Sequence, residues 1–145
     1  MSNIKAQTEA LQISIYCNII EEVLQTHKIL SVCKLIVFSY LIKQNKFLGG
    51  VIYSAKNSQD NVYKGLSLLS GDFNGLCESM SYIIKSLHLL ISNNIVSCNG
   101  SILTLTDDKI ETVPVYKENN FIKKTIEESK KMSDRQFMKE VTYNV

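Results

Sequence analysis

The sequence predicts a mainly α-helical single domain with one small β-hairpin and two C-terminal helices. Three observations lead there. A run with apolar residues at three-to-four spacing, "GLCESMSYIIKSLHLLISN" (75–93), passes directly into "IVSCNGSILTLT" (95–106), an alternating stretch folded about Asn99-Gly100. Two more runs of helical character, 8–27 and 32–42, precede it. A charged periodic run, 120–132, follows it and is itself followed by a helix-start signal. A long helix feeding a tight hairpin is the back half of a winged helix. The expected architecture is therefore a winged-helix-like core over residues 1–112, with 113–145 as a C-terminal helical extension of the same domain.

In residues 8–27, Ile15, Ile19, Ile20, Val23 and Leu24 recur on one side, opposite Asn18, Glu21, Glu22 and Gln25. The start of this helix is ambiguous, because Leu11, Ile13 and Ile15 alternate as a strand would. Ser31 is a fair N-cap for the next helix, which is apolar nearly all round from Val32 to Ile42. Such a helix is buried on most sides and belongs at the centre of the domain. Residues 43–64 change character: Gly49-Gly50 breaks the pattern, "VIYSA" is a short strand or irregular, and "NSQDN" reads as a loop.

The next helix is the best defined. Asp72 or Asn74 can cap it, and Leu76, Met80, Ile83, Leu87 and Leu90 form its stripe, widened by Ile84 and Ile91. Asn93-Asn94 suits its end, since Asn tolerates the left-handed conformation of a C-cap. A type I′ turn at Asn99-Gly100 sets Cys98 opposite Ser101, Val96 opposite Leu103 and Asn94 opposite Leu105. Val96, Cys98, Leu103 and Leu105 then face the core, and Ile95, Ser97, Ile102 and Thr104 face outward. Residues 107–120 read as a linker. The helix after it has a thin stripe of Phe121, Ile122, Ile126 and Met132. Ser133-Asp134-Arg135-Gln136 is a capping box for a short last helix with Phe137, Met138 and Val141 on one side.

A chain of 145 residues is long enough to bury a core without metal or disulfide staples. Its net charge is +2, with eight basic and six acidic residues in 1–100 and eight of each in 101–145. No half is strongly basic, so non-specific attraction to phosphate is weak. The four cysteines are scattered and form no C-x-x-C pair, which suits small buried hydrophobes in a reducing compartment. "MSNIKAQTEALQ" has no apolar leader segment, and the longest apolar run, 29–42, is interrupted by Lys34 and too short to span a bilayer. A cytoplasmic protein is expected.

Catalysis would need a nucleophile with a base, a working carboxylate pair or a metal cluster. His27 ends one helix and His88 sits beside an apolar stripe, and structural or surface roles fit both. Glu21-Glu22, Asp107-Asp108 and Glu127-Glu128 are adjacent pairs of the kind found on solvated faces. No P-loop spacing occurs. The chain is expected to be no enzyme, with no catalytic, cofactor or metal residues.

A groove-reading helix presents Arg, Lys, Asn or Gln to the bases, and its wing carries cations for phosphate. Here residues 75–93 offer one cation, Lys85, and one anion, Glu78. Residues 95–106 contain no Lys or Arg, and Asp107-Asp108 follow. A DNA-binding transcriptional regulator is therefore the weaker reading, and a winged-helix-like module that binds protein is the stronger. Two surfaces are candidates for the partner: Tyr82, Ile95 and Ile102 on the long helix and wing, and Phe137, Met138, Val141 and Tyr143 on the terminal helix.

Three stretches carry a resemblance. "FNGLCESMSYIIKSLHLLISNNIVSCNGSILTLTDD" (73–108) resembles the helix-plus-hairpin core of the small middle components of three-component ABC-ATPase systems. These are bacterial anti-phage defence operons, of which Lamassu systems are close relatives. "KKMSDRQFMKEVTYNV" (130–145) is similar to their ending, in which a Leu/Met-Ser-Asp box precedes a short Phe-containing helix. "YCNIIEEVLQTHKILSVCKLIVFSYLIKQ" (16–44) is similar to their opening pair of apolar helices. The resemblance implies a non-catalytic subunit that bridges an SMC-like coiled-coil ATPase and an effector, often a nuclease, held inactive until release. It implies direct DNA contact by the ATPase and at most weak contact by this chain. It carries over no catalytic residue.

Overall fold

The computed structural model describes residues 2–44, 58–107, 116, 118 and 120–143. The described residues are mainly helical, with a small three-stranded antiparallel sheet. Helix α1 spans Ser2–His27, so it starts well before the predicted residue 8 and absorbs the stretch that alternated like a strand. Its first turns are exposed, with Ile4 and Leu11 in solvent. The second half supplies the core with Tyr16, Ile19, Ile20, Val23 and Leu24. The helix stops at Lys28, which takes a left-handed φ of 71° while its N–H donates to the Leu24 carbonyl at 2.9 Å.

That reversal opens strand β1, Ile29–Ser31, an element the sequence reading did not contain. Ser31, expected as a helix cap, is a strand residue paired with Ile102. Helix α2, Val32–Gln44, follows at once and is buried at every position from Lys34 to Ile42 except Ile36. This is the central helix its composition predicts. The "VIYSA" stretch lies outside the described residues. "NSQDN" was expected as a loop, but all of it after its first residue belongs to helix α3, Ser58–Leu66, which continues into a 3₁₀ turn at Ser67–Leu69.

Helix α4, Phe73–Ser92, packs on α1 and α2 with Leu76, Ile83, Ser86, Leu87 and Leu90 buried. Its end is the predicted asparagine cap: Asn94 has φ 60°. The N–H of Asn94 donates to Ile91 and that of Ile95 to Leu90, the paired bonds of a Schellman motif.

The hairpin consists of β2, Val96–Asn99, and β3, Ile102–Leu105. Its register differs from the predicted one. Val96 faces Leu105, Cys98 faces Leu103 and Asn99 faces Ile102, so the two turn residues are Gly100 and Ser101. Gly100 has φ +65° and Ser101 has no positive φ, which is the signature of a II′ turn. Glycine takes the first central position, which demands positive φ, where the I′ expectation placed it second. The shift is by two residues, so the pattern of alternation is kept, and Val96 and Leu103 face inward as predicted. Cys98, expected on the core side, is exposed near the hairpin tip. Cys77 is exposed too, so these two cysteines are not the buried hydrophobes expected. Strand β1 pairs with the free side of β3, giving the order β1-β3-β2. Leu30, Val96 and Leu103 turn into the core.

Helices α5, Asn120–Ser129, and α6, Asp134–Tyr143, close the molecule. Ile122, Ile126, Met132, Phe137 and Val141 join the same apolar cluster as α1, α2 and α4. The capping box forms as read: the Ser133 N–H donates to Gln136 Oε1 at 3.1 Å, and the Gln136 N–H donates to Ser133 Oγ at 3.1 Å. The predicted linker lies mostly outside the described residues.

Candidate protein-interaction face and the His27 cluster

The outward face of α4 is fixed at its first turn. Asp72 is the N-cap residue, but its side chain makes no cap bond. Instead Asp72 Oδ2 accepts from the Tyr40 hydroxyl at 2.6 Å, which pins the start of α4 to the central helix. Burial, then the neighbouring Asp72 carboxylate, pushes the Tyr40 hydroxyl far above its ordinary range, so it remains a donor. Gly75 permits this approach, because a Cβ there would lie 2.5 Å from Asp72 Oδ1 and collide with the Tyr40 hydroxyl.

With that face set, Phe73, Cys77, Met80, Ile84, Leu87 and Ile91 fall at spacings of four, three, four, three and four. This is the 3.5-residue repeat by which helices pack side by side. Leu87 is buried, Met80 and Ile91 are half-buried, and Phe73 and Ile84 stand 45% and 49% exposed. The cation beside the stripe, Lys85, is paired with Glu9 of α1. The outer face of the sheet is likewise uncharged: Ile29, Ser97, Asn99, Ile102 and Thr104 share it, with Ile29 51% and Ile102 40% exposed.

The residues singled out from sequence divide. Ile102 is exposed, whereas Tyr82 and Ile95 are half-buried against the core. On the terminal helix, Phe137 and Val141 are fully buried and Met138 is half-buried, so these positions are used for docking within the chain. The Phe137 ring lies 5.4 Å from that of Phe38, tilted by 47°. Tyr143 alone of that set is openly exposed. Sequence reasoning missed Phe73 and Ile29. The 4-3-4-3-4 spacing beginning at Phe73 was the available signal for the first, and nothing local marked the second.

A second cluster sits where α1 meets α5. His27 is 3% exposed, yet both ring nitrogens face carboxylates: Nε2 meets Glu118 Oε2 at 2.8 Å, and Nδ1 meets Glu127 Oε2. Burial acts most strongly on the imidazole and opposes its charge. The hydrogen bonds to Glu118 and Glu127 outweigh it and raise the pKa above the ordinary histidine value. Burial alone would raise Glu127, but its bonds to His27 and Lys130 lower it. Lys130 Nζ bonds the His27 carbonyl at 2.5 Å and lies 3.0 Å from Glu127 Oε2, so α5 holds both the side chain and the backbone of the last residue of α1.

Comparison of the chain with protein-family models, with curated proteins and with solved structures finds no match to any of the three. Among the described residues, no helix is long and apolar enough to cross a membrane.

Proposed function

We propose that this chain is a non-catalytic adaptor with a winged-helix-like fold that works by binding other proteins. Its most specific form is the bridging subunit of a cytoplasmic SMC-like ATPase anti-phage defence complex, placed between the coiled-coil ATPase and an effector such as a nuclease. The element order α1-β1-α2 and then α4-β2-β3, with the sheet order β1-β3-β2, supports the winged-helix-like assignment. The observation that carries the binding reading is the surface of α4 and the sheet. Where a groove reader needs free cations, it displays Phe73, Ile84, Ile29 and Ile102, with Lys85 tied to Glu9.

The reading expects a coiled-coil ATPase gene beside this one, and co-expression with its product is the test. The expected result is a complex that survives gel filtration and is lost on Phe73→Asp with Ile84→Asp. Surface changes of this kind alter stability by no more than about 0.5 kcal/mol each, so the melting temperature of the isolated chain should hold. A chain that stays alone and binds duplex DNA with a steep salt dependence is instead a DNA-binding transcriptional regulator, and the adaptor reading falls.

A further inference from the structure

The His27 cluster is more than an anchor. An imidazole with one proton can donate from one nitrogen only, whereas both nitrogens here face carboxylate oxygens, which only accept. With both carboxyl groups ionised, this geometry is satisfied by the imidazolium alone. The surrounding groups reinforce this. Glu118 is nine-tenths buried, and its Oε1 has no hydrogen-bond partner, so His27 is its direct counter-charge. Glu22 of α1 adds negative charge near Glu118. On the other side, α5 contributes Glu127 and Lys130, and Lys28 follows His27 in the chain. Lys123 of α5 borders both the cleft of Glu118 and Glu22 and that of Glu127, with no ion pair to Glu118 among the described residues. Lys130 is engaged with Glu127 and the His27 carbonyl, so the buried imidazolium is what holds Glu118.

We infer that His27 is a proton-dependent latch: as the imidazolium it fastens α5 to the end of α1, and release of its second proton to water loosens α5 while the α1–α2–α4 core stays folded. The neutral ring keeps one donor, so one of the two carboxylates is left inside without a hydrogen on that side, and opening α5 becomes the way to hydrate it. The position gives the latch reach. Lys28 and β1 follow His27 directly, so the latch lies beside the edge strand of the sheet. The inference needs only the isolated chain, and it stands or falls independently of the adaptor reading.

The sign follows from linkage. A group whose pKa is raised in the folded state contributes fully below its unfolded value, about 6.5 for histidine, and the contribution disappears as pH climbs to the folded pKa. NMR of the intact chain between pH 6 and 9 reads both ends of this. The His27 ring protons report its titration, and amide exchange, corrected for the intrinsic rate, reports the opening of α5. The expected result is a His27 midpoint above 6.5. Protection at Ile122–Ile126 should fall by up to about tenfold per pH unit from there to that midpoint, then level off, while α4 holds its protection. In His27→Gln, α5 should be poorly protected at every pH with no such slope. Flat protection of α5 in the wild type, a fall shared equally by α4, or a slope that persists in His27→Gln overturns the latch. The wild-type series decides the matter even if the variant does not fold.

Discussion

Helices α4 and α5 are both joined to α1, but by different means: α4 packs along it, whereas α5 packs mainly on α3 and reaches the end of α1 through charged side chains. The α1–α4 seam is apolar inside, where α4 buries Ile83, Leu87 and Leu90, and carries the Lys85–Glu9 ion pair at its exposed rim. Its principal polar link is Ser86, whose buried hydroxyl lies 2.9 Å from the Ile13 carbonyl and 2.7 Å from that of Tyr82, and donates its one hydrogen between them. The C-terminal helices also bury apolar side chains, but charged groups fasten them. His27 sits between two carboxylates, Lys130 reaches the His27 carbonyl, and buried Lys34 donates to the Met132 carbonyl at 2.6 Å. An apolar seam responds little to pH or salt, because what drives it is area removed from water. A seam closed by buried charge is strong only while every partner keeps its protonation state. The core of this molecule is thus built to be permanent and its C-terminal end to be conditional.

The largest expected effect comes from breaking the permanent side. Ile83→Ala removes a fully buried branched side chain from α4. It should cost about 2–5 kcal/mol, the range for such truncations. Urea unfolding followed by circular dichroism should show the midpoint fall, and amide protection of α4 and α5 should drop together, since the core carries both. Loss of protection in α5 with α4 intact would invert the comparison, making the C-terminal end the part on which the core depends.

The same contrast explains what could be read in the sequence. The α4 pattern is long and strictly periodic, so its helix, its asparagine cap and most of its buried side were legible, but Ile84, expected to widen the buried stripe, is exposed. The Ser133–Gln136 box was legible because both of its bonds close within four residues. The faces of the hairpin were legible from alternation for Val96, Leu103 and Ile102, but not for Cys98, which lies too near the tip to be covered. Its register was not, because Asn-Gly and Gly-Ser are both acceptable two-residue turns and only the backbone at Gly100 chooses between them. Strand β1 is three residues long, too short to show a period, and its partner strand lies more than seventy residues away. The His27 cluster has the same difficulty: Glu118 and Glu127 are 91 and 100 positions along the chain. On the candidate face, the alternation placed Ile102 outward. The stripe beginning at Phe73 was hidden behind the stronger buried stripe of the same helix.

Lys34→Met tests the conditional side through its buried lysine. The substitution keeps length and apolar volume while removing the donor to Met132, whose carbonyl is then left inside. The expected cost is about 1–3 kcal/mol, the penalty for one unsatisfied buried group. It should fall first on the α5–α6 junction, so hydrogen exchange at residues 130–137 should quicken while α4 changes little. The nearby Asp134, with its carboxylate 3.7 Å from Nζ and largely exposed, adds little. A variant more stable than the wild type would mean that burying the ammonium costs more than its hydrogen bond returns, and the charged fastening of α6 would then be a liability.

Ser133→Ala should have the smallest effect and the most local one. It removes the hydroxyl that accepts from the Gln136 N–H, which typically costs about 1 kcal/mol. The reciprocal bond from the Ser133 N–H to Gln136 depends on the same backbone geometry, so Gln136→Ala should destabilise by less, and the double variant by less than the sum of the two. The effect belongs to the start of α6, because Phe137, one position beyond the box, is packed on Phe38 and holds the helix in place without the cap. Thermal melts of the three variants give the coupling directly. Additive losses would show that the two bonds act separately, and that α6 is held by its buried phenylalanine alone rather than by a start signal and an anchor working together.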